Sequence, residues 1–367
     1  RRPESHFGSS TRVVAAASCR APLAMRAFQQ RVAAPAALSA SLAGLAVAGL
    51  ADRRASDGRP RPPPTLLRAE TLGEPPRRVA FLGNSYLYFN DCPRVFQFIC
   101  KQNGHDVTID TCLRGGSSWG SLLRLGNDMD VKFRSPAALL PDGSYDLGSP
   151  TVEAMLAKPG GWDFVIMNTF SQEAADLKTR KNGLKALKTL VPLVEGARAR
   201  PVLLVTPAYR QHTKNSERLG GWQDFVWLQA EGYRAYAARI FELSPDARAE
   251  RRPPCFADAN RAFEIVRGER PELWQELYYK DGLHPSALGT FLEACVIFCA
   301  VFGEAPHVTE GMLEDPASIY ARSRRMLPPP DVGRMPTAEE LLYVRSVAMR
   351  ACSSDEFAQV GGGSVQA

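Results

Sequence analysis

The sequence predicts an α/β protein: a three-layer α/β/α sandwich, flavodoxin-like, on a mostly parallel sheet of about five strands. Two observations carry this. Short apolar runs recur along the chain, and a strand buried on both faces reads as such a run rather than as an alternation. The gaps between the runs are long enough to hold a helix, as crossovers between parallel strands require.

In chain order, residues 1–75 stand outside the pattern. They are rich in Arg, Ala, Ser and Pro, poor in acids and devoid of Lys, so they cannot bury a core. Read from Met25, a basic start at Arg26 and Arg31, an uncharged stretch Ala33 to Ala51 and the small residues Ala46-Val-Ala48 fit a cleaved secretory signal, with an organelle transit peptide as the alternative. Alanine contributes little to membrane insertion, which argues against a retained span. Arg59 to Pro64 reads as an extended linker. The expected organisation is therefore leader and Pro-rich linker over 1–75, one globular domain over 76–352 and a flexible tail over 353–367.

The expected strands are Val79–Gly83, Val107–Cys112, Phe164–Asn168, Val202–Thr206 and Cys255–Asp258. Arg94 to Asn103 carries Val95, Phe96, Phe98, Ile99 and Cys100 and stops at Asn103-Gly104, a helix terminator. Gly126 to Gly161, rich in Gly, Pro and Asp, reads as a surface excursion with a short helix at Thr151 to Ala157. Further helices are expected over Gly183–Glu195, Phe225–Phe241 and Ala287–Phe302. Thr337-Ala-Glu-Glu340 is a capping-box pattern, opening a helix through Leu341, Leu342, Val344 and Val347 to about Cys352.

The 45% apolar content suffices for a sizeable core. The formal charge of +6 misleads, because residues 1–78 hold 13 Arg against 5 acids and leave the rest of the chain at about −2. That removes any nucleic-acid footprint. Cys19 lies in the leader, and the seven remaining cysteines, an odd number, weaken a complete disulfide framework. Cys295 and Cys299, four apart in an apolar run, read as buried small hydrophobes, and no Cys or His spacing points to zinc.

Chemistry gathers at the carboxyl ends of the strands. Ser85 follows the first strand in Gly83-Asn84-Ser85, where its hydroxyl stands beside the amino end of the next helix. Alone, the tripeptide reads better as a helix cap than as a nucleophile turn. Asp281-Gly-Leu-His284, followed by Pro285 and Ser286, supplies an imidazole that can face a carboxylate with one nitrogen and a serine hydroxyl with the other. His105, His212 and His307 sit in less suitable places, and His6 lies in the leader. Arg114-Gly-Gly-Ser-Ser-Trp119 is a tight turn whose N–H groups can face the same edge, and Asn168 ends the third strand with a side-chain amide that can donate to an oxyanion or cap the strand.

The order Gly-Asn-Ser, Gly, Asn, Asp-x-x-His resembles the SGNH (GDSL-type) hydrolase superfamily over roughly Arg77 to Cys352. Phe81-Leu-Gly-Asn-Ser-Tyr86 and Asp281-Gly-Leu-His-Pro-Ser-x-x-Gly289 resemble an SGNH-like esterase subgroup. The resemblance implies a serine esterase acting through an acyl-enzyme, with no metal or organic cofactor. It would make Ser85 the nucleophile, His284 the general base and Asp281 its partner. Ser85, Gly116 (Gly115 being the near alternative) and Asn168 would form the oxyanion hole. Asn84 stands where many relatives carry Asp, and the third block reads Asn168-Thr-Phe rather than Gly-x-Asn-Asp.

By the family's habits the substrate is a small acyl group, such as acetyl, on a carbohydrate, with lipid esters also open. Trp119, Trp222, Trp227 and Tyr209 are candidates to stack on sugar, against the alternative that they pack the interior. Acyl transfer to a sugar hydroxyl, and a non-catalytic binding protein of the same fold, are the competing functions.

Overall fold

The computed structural model describes residues 77–127, 138–211, 216–250, 252–315, 318 and 333–353. The expected leader and linker, His212, and nearly all of the expected tail lie outside the described residues. The elements run β1 (Arg77–Gly83), α1 (Ser85–Tyr88), α2 (Cys92–Gln102), β2 (Val107–Leu113), α3 (Trp119–Leu125), α4 (Val152–Leu156), β3 (Phe164–Met167), α5 (Ser171–Ala175) and α6 (Leu177–Gly196). They continue with β4 (Arg200–Val205), α7 (Trp222–Leu243), α8 (Pro245–Ala249), β5 (Cys255–Asp258), α9 (Ala259–Glu269), α10 (Pro271–Glu276), α11 (Ala287–Phe302), α12 (Glu310–Glu314) and α13 (Ala338–Cys352). The expected α/β class and five-stranded sheet are both observed.

All five strands are parallel, in the order β2-β1-β3-β4-β5. The chain steps outward from β1 to β2 and then returns to the other side of β1. That reversal opens a crevice between the carboxyl ends of β1 and β3, the topological switch point where open α/β sheets bind ligands. Gly83, the last residue of β1, therefore delivers whatever follows it into the crevice.

Val79, Ala80, Phe81 and Leu82 of β1 are wholly buried, which explains the unbroken apolar run. Val79 and Phe81 join one core layer with α2, α9, α11 and α13, while Ala80 and Leu82 join the other with α3, α4, α6 and most of α7. Each Val, Leu or Phe side chain so buried contributes on the order of 1.5–3 kcal/mol by leaving water. α11 is buried nearly all round, because α2, α9, α13 and β5 surround it. Even Glu293 is fully enclosed there, and burial holds its carboxyl well above the usual range.

Several elements differ from expectation in extent. α6 begins at Leu177, since its first two turns are polar and show no apolar period, yet Asp176 caps them by accepting from Lys178 N at 2.9 Å. α9 was not foreseen: Asp258 both ends β5 and caps α9, accepting from Arg261 N at 2.8 Å, so no turn residues separate the two. α11 matches its expected bounds, α4 lies within its expected stretch with Thr151 as cap, and the capping box opens α13. Among the described residues, no helix is long and apolar enough to cross a membrane.

Candidate active site

Ser85 opens α1 directly beyond β1, and Asn84 before it locks the turn. Asn84 Oδ1 accepts from Tyr86 N at 3.2 Å, which caps α1, and Asn84 Nδ2 donates to the Ser117 carbonyl at 3.1 Å. Ser117 Oγ in turn donates to the Gly83 carbonyl at 2.9 Å. A Cβ at position 83 would stand 1.8 Å from Asn168 Oδ1, so any residue but glycine there would displace the Asn168 amide.

From the other end of the domain, the loop before α11 carries His284 across the crevice. His284 Nε2 lies 2.9 Å from Ser85 Oγ, and His284 Nδ1 lies 2.7 Å from Asp281 Oδ2. A carboxylate can only accept, so the ring proton sits on Nδ1 and Nε2 is left to accept from the serine hydroxyl. Asp281 Oδ1 also accepts from Leu283 N at 2.9 Å and His284 N at 3.0 Å. Burial alone would raise the affinity of Asp281 for a proton. The His284 ring and the two N–H groups outweigh it, and the carboxyl sits below its ordinary value. Gly282 takes the positive φ of 68° that this tight turn needs.

The histidine loop is clamped to the residues after Ser85. Tyr86 Oη donates to the Leu283 carbonyl at 2.8 Å, and Asn90 Nδ2 donates to the Pro285 carbonyl at 3.1 Å. The Phe89 ring lies parallel to the imidazole, with centroids 4.5 Å apart and planes 7° from parallel. None of these three residues was foreseen. The polar and aromatic run Tyr86-Leu-Tyr-Phe-Asn90 immediately after the serine is the signal that held them.

A cavity of about 360 Å³ opens over Ser85 and His284 and is walled by Tyr86, Tyr88, Gly115, Gly116, Phe170, Ser171, Tyr209 and Leu283, with Asn84 also on its lining. Among the described residues, no hydrogen bond engages the N–H of Ser85 or of Gly116. A larger hollow of about 550 Å³ lies at the amino-terminal edge of the sheet, near Arg77, Asp163 and Arg200. It is remote from Ser85 and His284, so the smaller cavity is the candidate site.

Asn168 does not sit in the cavity wall as expected. It is wholly buried, its Nδ2 donates to Asn84 Oδ1 at 2.9 Å, and its Oδ1 accepts from Asn84 N at 3.3 Å. The space left by Gly83 lets the amide turn onto Asn84, so Asn168 braces the serine turn instead of facing the crevice. The sugar-stacking candidates also separate. Trp119 is buried against Tyr236, and Trp222 is buried between Trp274 and the Arg267 guanidinium. Trp227 is exposed on α7 but does not line the cavity, and Tyr209 does. His105 pairs with Glu304 at 3.0 Å, away from the crevice, and Cys295 and Cys299 are buried as expected.

No protein-family model matches the chain, and no curated protein sequence matches it. Among solved structures it is similar to a DUF4886 family protein from Bacteroides uniformis, with 15% identity and a TM-score of 0.52 over 76% of this chain and 95% of that one. At that identity the likeness is one of fold. It is also similar to a protein from Slackia heliotrinireducens described as a candidate SGNH hydrolase, with 23% identity and a TM-score of 0.42 over 62% of this chain and 99% of the other. TesA is a third, with 15% identity and a TM-score of 0.35 over 61% and 98%.

Proposed function

We propose that this chain is a serine esterase of the SGNH type, working through an acyl-enzyme. The observation that carries the proposal is the unbroken chain Ser85, His284, Asp281, with spacings of 2.9 and 2.7 Å, at the switch point of the sheet. In this reading Ser85 Oγ attacks the ester carbonyl while His284 Nε2 takes its proton. Asp281 holds the ring in the tautomer that can accept and stabilises the imidazolium that forms. The N–H groups of Ser85 and Gly116 stabilise the oxyanion. The imidazolium returns its proton to the departing alcohol, and a water activated by the same ring then releases the acid.

For the substrate we propose a short acyl group, with acetyl on a carbohydrate as the first choice. The cavity volume of about 360 Å³, walled by Tyr86, Tyr88, Phe170, Ser171, Tyr209 and Leu283, supports a compact occupant. Hydrolysis of p-nitrophenyl esters of increasing acyl length tests both parts. Ser85→Ala and His284→Ala should each reduce kcat by about 10⁴-fold or more while leaving the melting temperature within a few degrees. Equal rates in all three proteins, with no labelling of Ser85 by a fluorophosphonate, would refute the esterase reading. A preference for octanoyl over acetyl would refute the short-acyl choice alone.

A further inference from the structure

α11 and α13 pack side by side, and a pair of cysteines lies in their contact. Cys299 is buried in the last turn of α11, and Cys352 is half-buried at the last position of α13. Cys352 Sγ lies 3.3 Å from the carbonyl oxygen of Val296, which is three residues before Cys299 and on the same side of the helix. The Cys352 thiol thus donates to the carbonyl one turn before Cys299, and the Cys299 thiol is the first influence holding its proton in place. Both are reduced in this structure.

We propose that Cys299 and Cys352 are a disulfide-forming pair, whose bridge fastens α13 to α11, the helix that follows the His284 loop. The alternatives inside the domain are poorer. Cys295, one turn before Cys299, projects parallel to it, whereas a disulfide needs Cβ atoms that approach one another. Cys92, Cys100 and Cys112 are wholly buried, on α2 and β2. Cys255, also partly exposed, opens β5; among the described residues it is Cys352 that joins partial exposure to contact with the cysteine-bearing helix α11, so it meets an oxidant first and Cys299 resolves the product.

With glutathione disulfide as oxidant the step balances. The Cys352 thiolate attacks one glutathione sulfur and expels glutathione thiolate. The Cys299 thiolate then attacks the Cys352 sulfur and expels the second. The protons of the two cysteine thiols pass to the two glutathione thiolates, so one disulfide is reduced as the other forms. The Cys299 contact first, and burial second, hold the Cys352 thiol well above its ordinary value, which makes exchange slow in the folded chain. A helix end frays more readily than its middle, so opening of the last turn of α13 gives the oxidant access. The secretory route expected of the leader would supply such an oxidant.

The bridge closes a loop of about fifty residues, and closing a loop of that size restricts the unfolded chain strongly. The test incubates the full chain with glutathione disulfide in mildly alkaline buffer, blocks remaining thiols, and maps tryptic peptides by mass spectrometry. The expected result is the Cys299 peptide joined to the Cys352 peptide, an intact mass lower by two hydrogens, and a melting temperature higher by about 5 °C. Cys352→Ser and Cys299→Ala should each abolish the link and the rise, and Cys295→Ala should keep both. Recovery of Cys352 as a free thiol or as its glutathione adduct, or linkage of Cys299 to Cys295, would overturn the proposal. The readout is independent of esterase activity.

Discussion

At the residue scale, Asn84 explains why an amide rather than a carboxylate precedes the serine. Its Nδ2 donates to the buried Ser117 carbonyl while its Oδ1 accepts from Tyr86 N and from Asn168 Nδ2. An ionised Asp would keep the second role and aim a bare oxygen at a carbonyl. Asn84→Asp should therefore lower the melting temperature and reduce kcat by roughly 10-fold to 100-fold, since two acceptors facing each other in a buried site cost about 1–3 kcal/mol. The loss should shrink toward acidic pH, where a protonated carboxyl donates again, and kcat profiles of the two proteins check this. Phe89 acts on the other partner: Phe89→Leu keeps the volume but frees the imidazole face, and should lower kcat by about tenfold with KM little changed. An unchanged kcat would reduce Phe89 to packing. Ser85, Asp281 and His284 were legible in the sequence because short motifs hold them. Phe89 was not, because its contact with His284 crosses most of the domain. Asn168 was legible as a polar strand end, but the direction of its amide depends on the side chain that Gly83 lacks.

At the scale of elements, the short helix α5 carries the clearest pH dependence. Burial pushes the Glu173 carboxyl from 4.5 up to about 6, although the Thr169 hydroxyl donates to it at 2.9 Å. The folded chain thus binds more protons at this site than the unfolded chain between those two values. The contribution of Glu173 to stability is intact below pH 4.5 and falls as pH rises toward 6. Glu173→Gln should remove that fall, so the variant gains melting temperature relative to the parent at pH 7 but not at pH 4.5; equal differences at both would contradict the sign. Elements with a proper cap and a long apolar run or stripe, such as α11 and α13, were legible nearly to the residue. α5 and α9 were not, since each starts within a few residues of a strand end and neither is preceded by glycine or proline. Trp222, read beforehand as a possible platform for sugar, is instead the first residue of α7, held by Trp274 and Arg267.

At the scale of the whole molecule, the two core layers share one sheet, so each depends on the other. α13 closes one of them: Leu341, Val344, Val347, Ala348 and Ala351 are each at most 2% exposed. A chain ending at Thr337 would expose their partners on α9 and α11, and should lose its single cooperative unfolding transition and its fluorophosphonate labelling together. Retention of labelling would mean that the sheet stands without this cover. Fold class was legible from the strands because buried parallel strands are apolar throughout. The switch point was not, because strand order is a property of pairing that no single run of residues displays. Ser85 and His284 are separated by 199 positions, and their hydrogen bond spans almost the entire domain. A chain still emerging from the ribosome, or cut between the two, holds Ser85 without His284. On the proposed roles the order of synthesis acts as a safety catch, since the Ser85 hydroxyl meets His284 only after β5 and α11 have found their places.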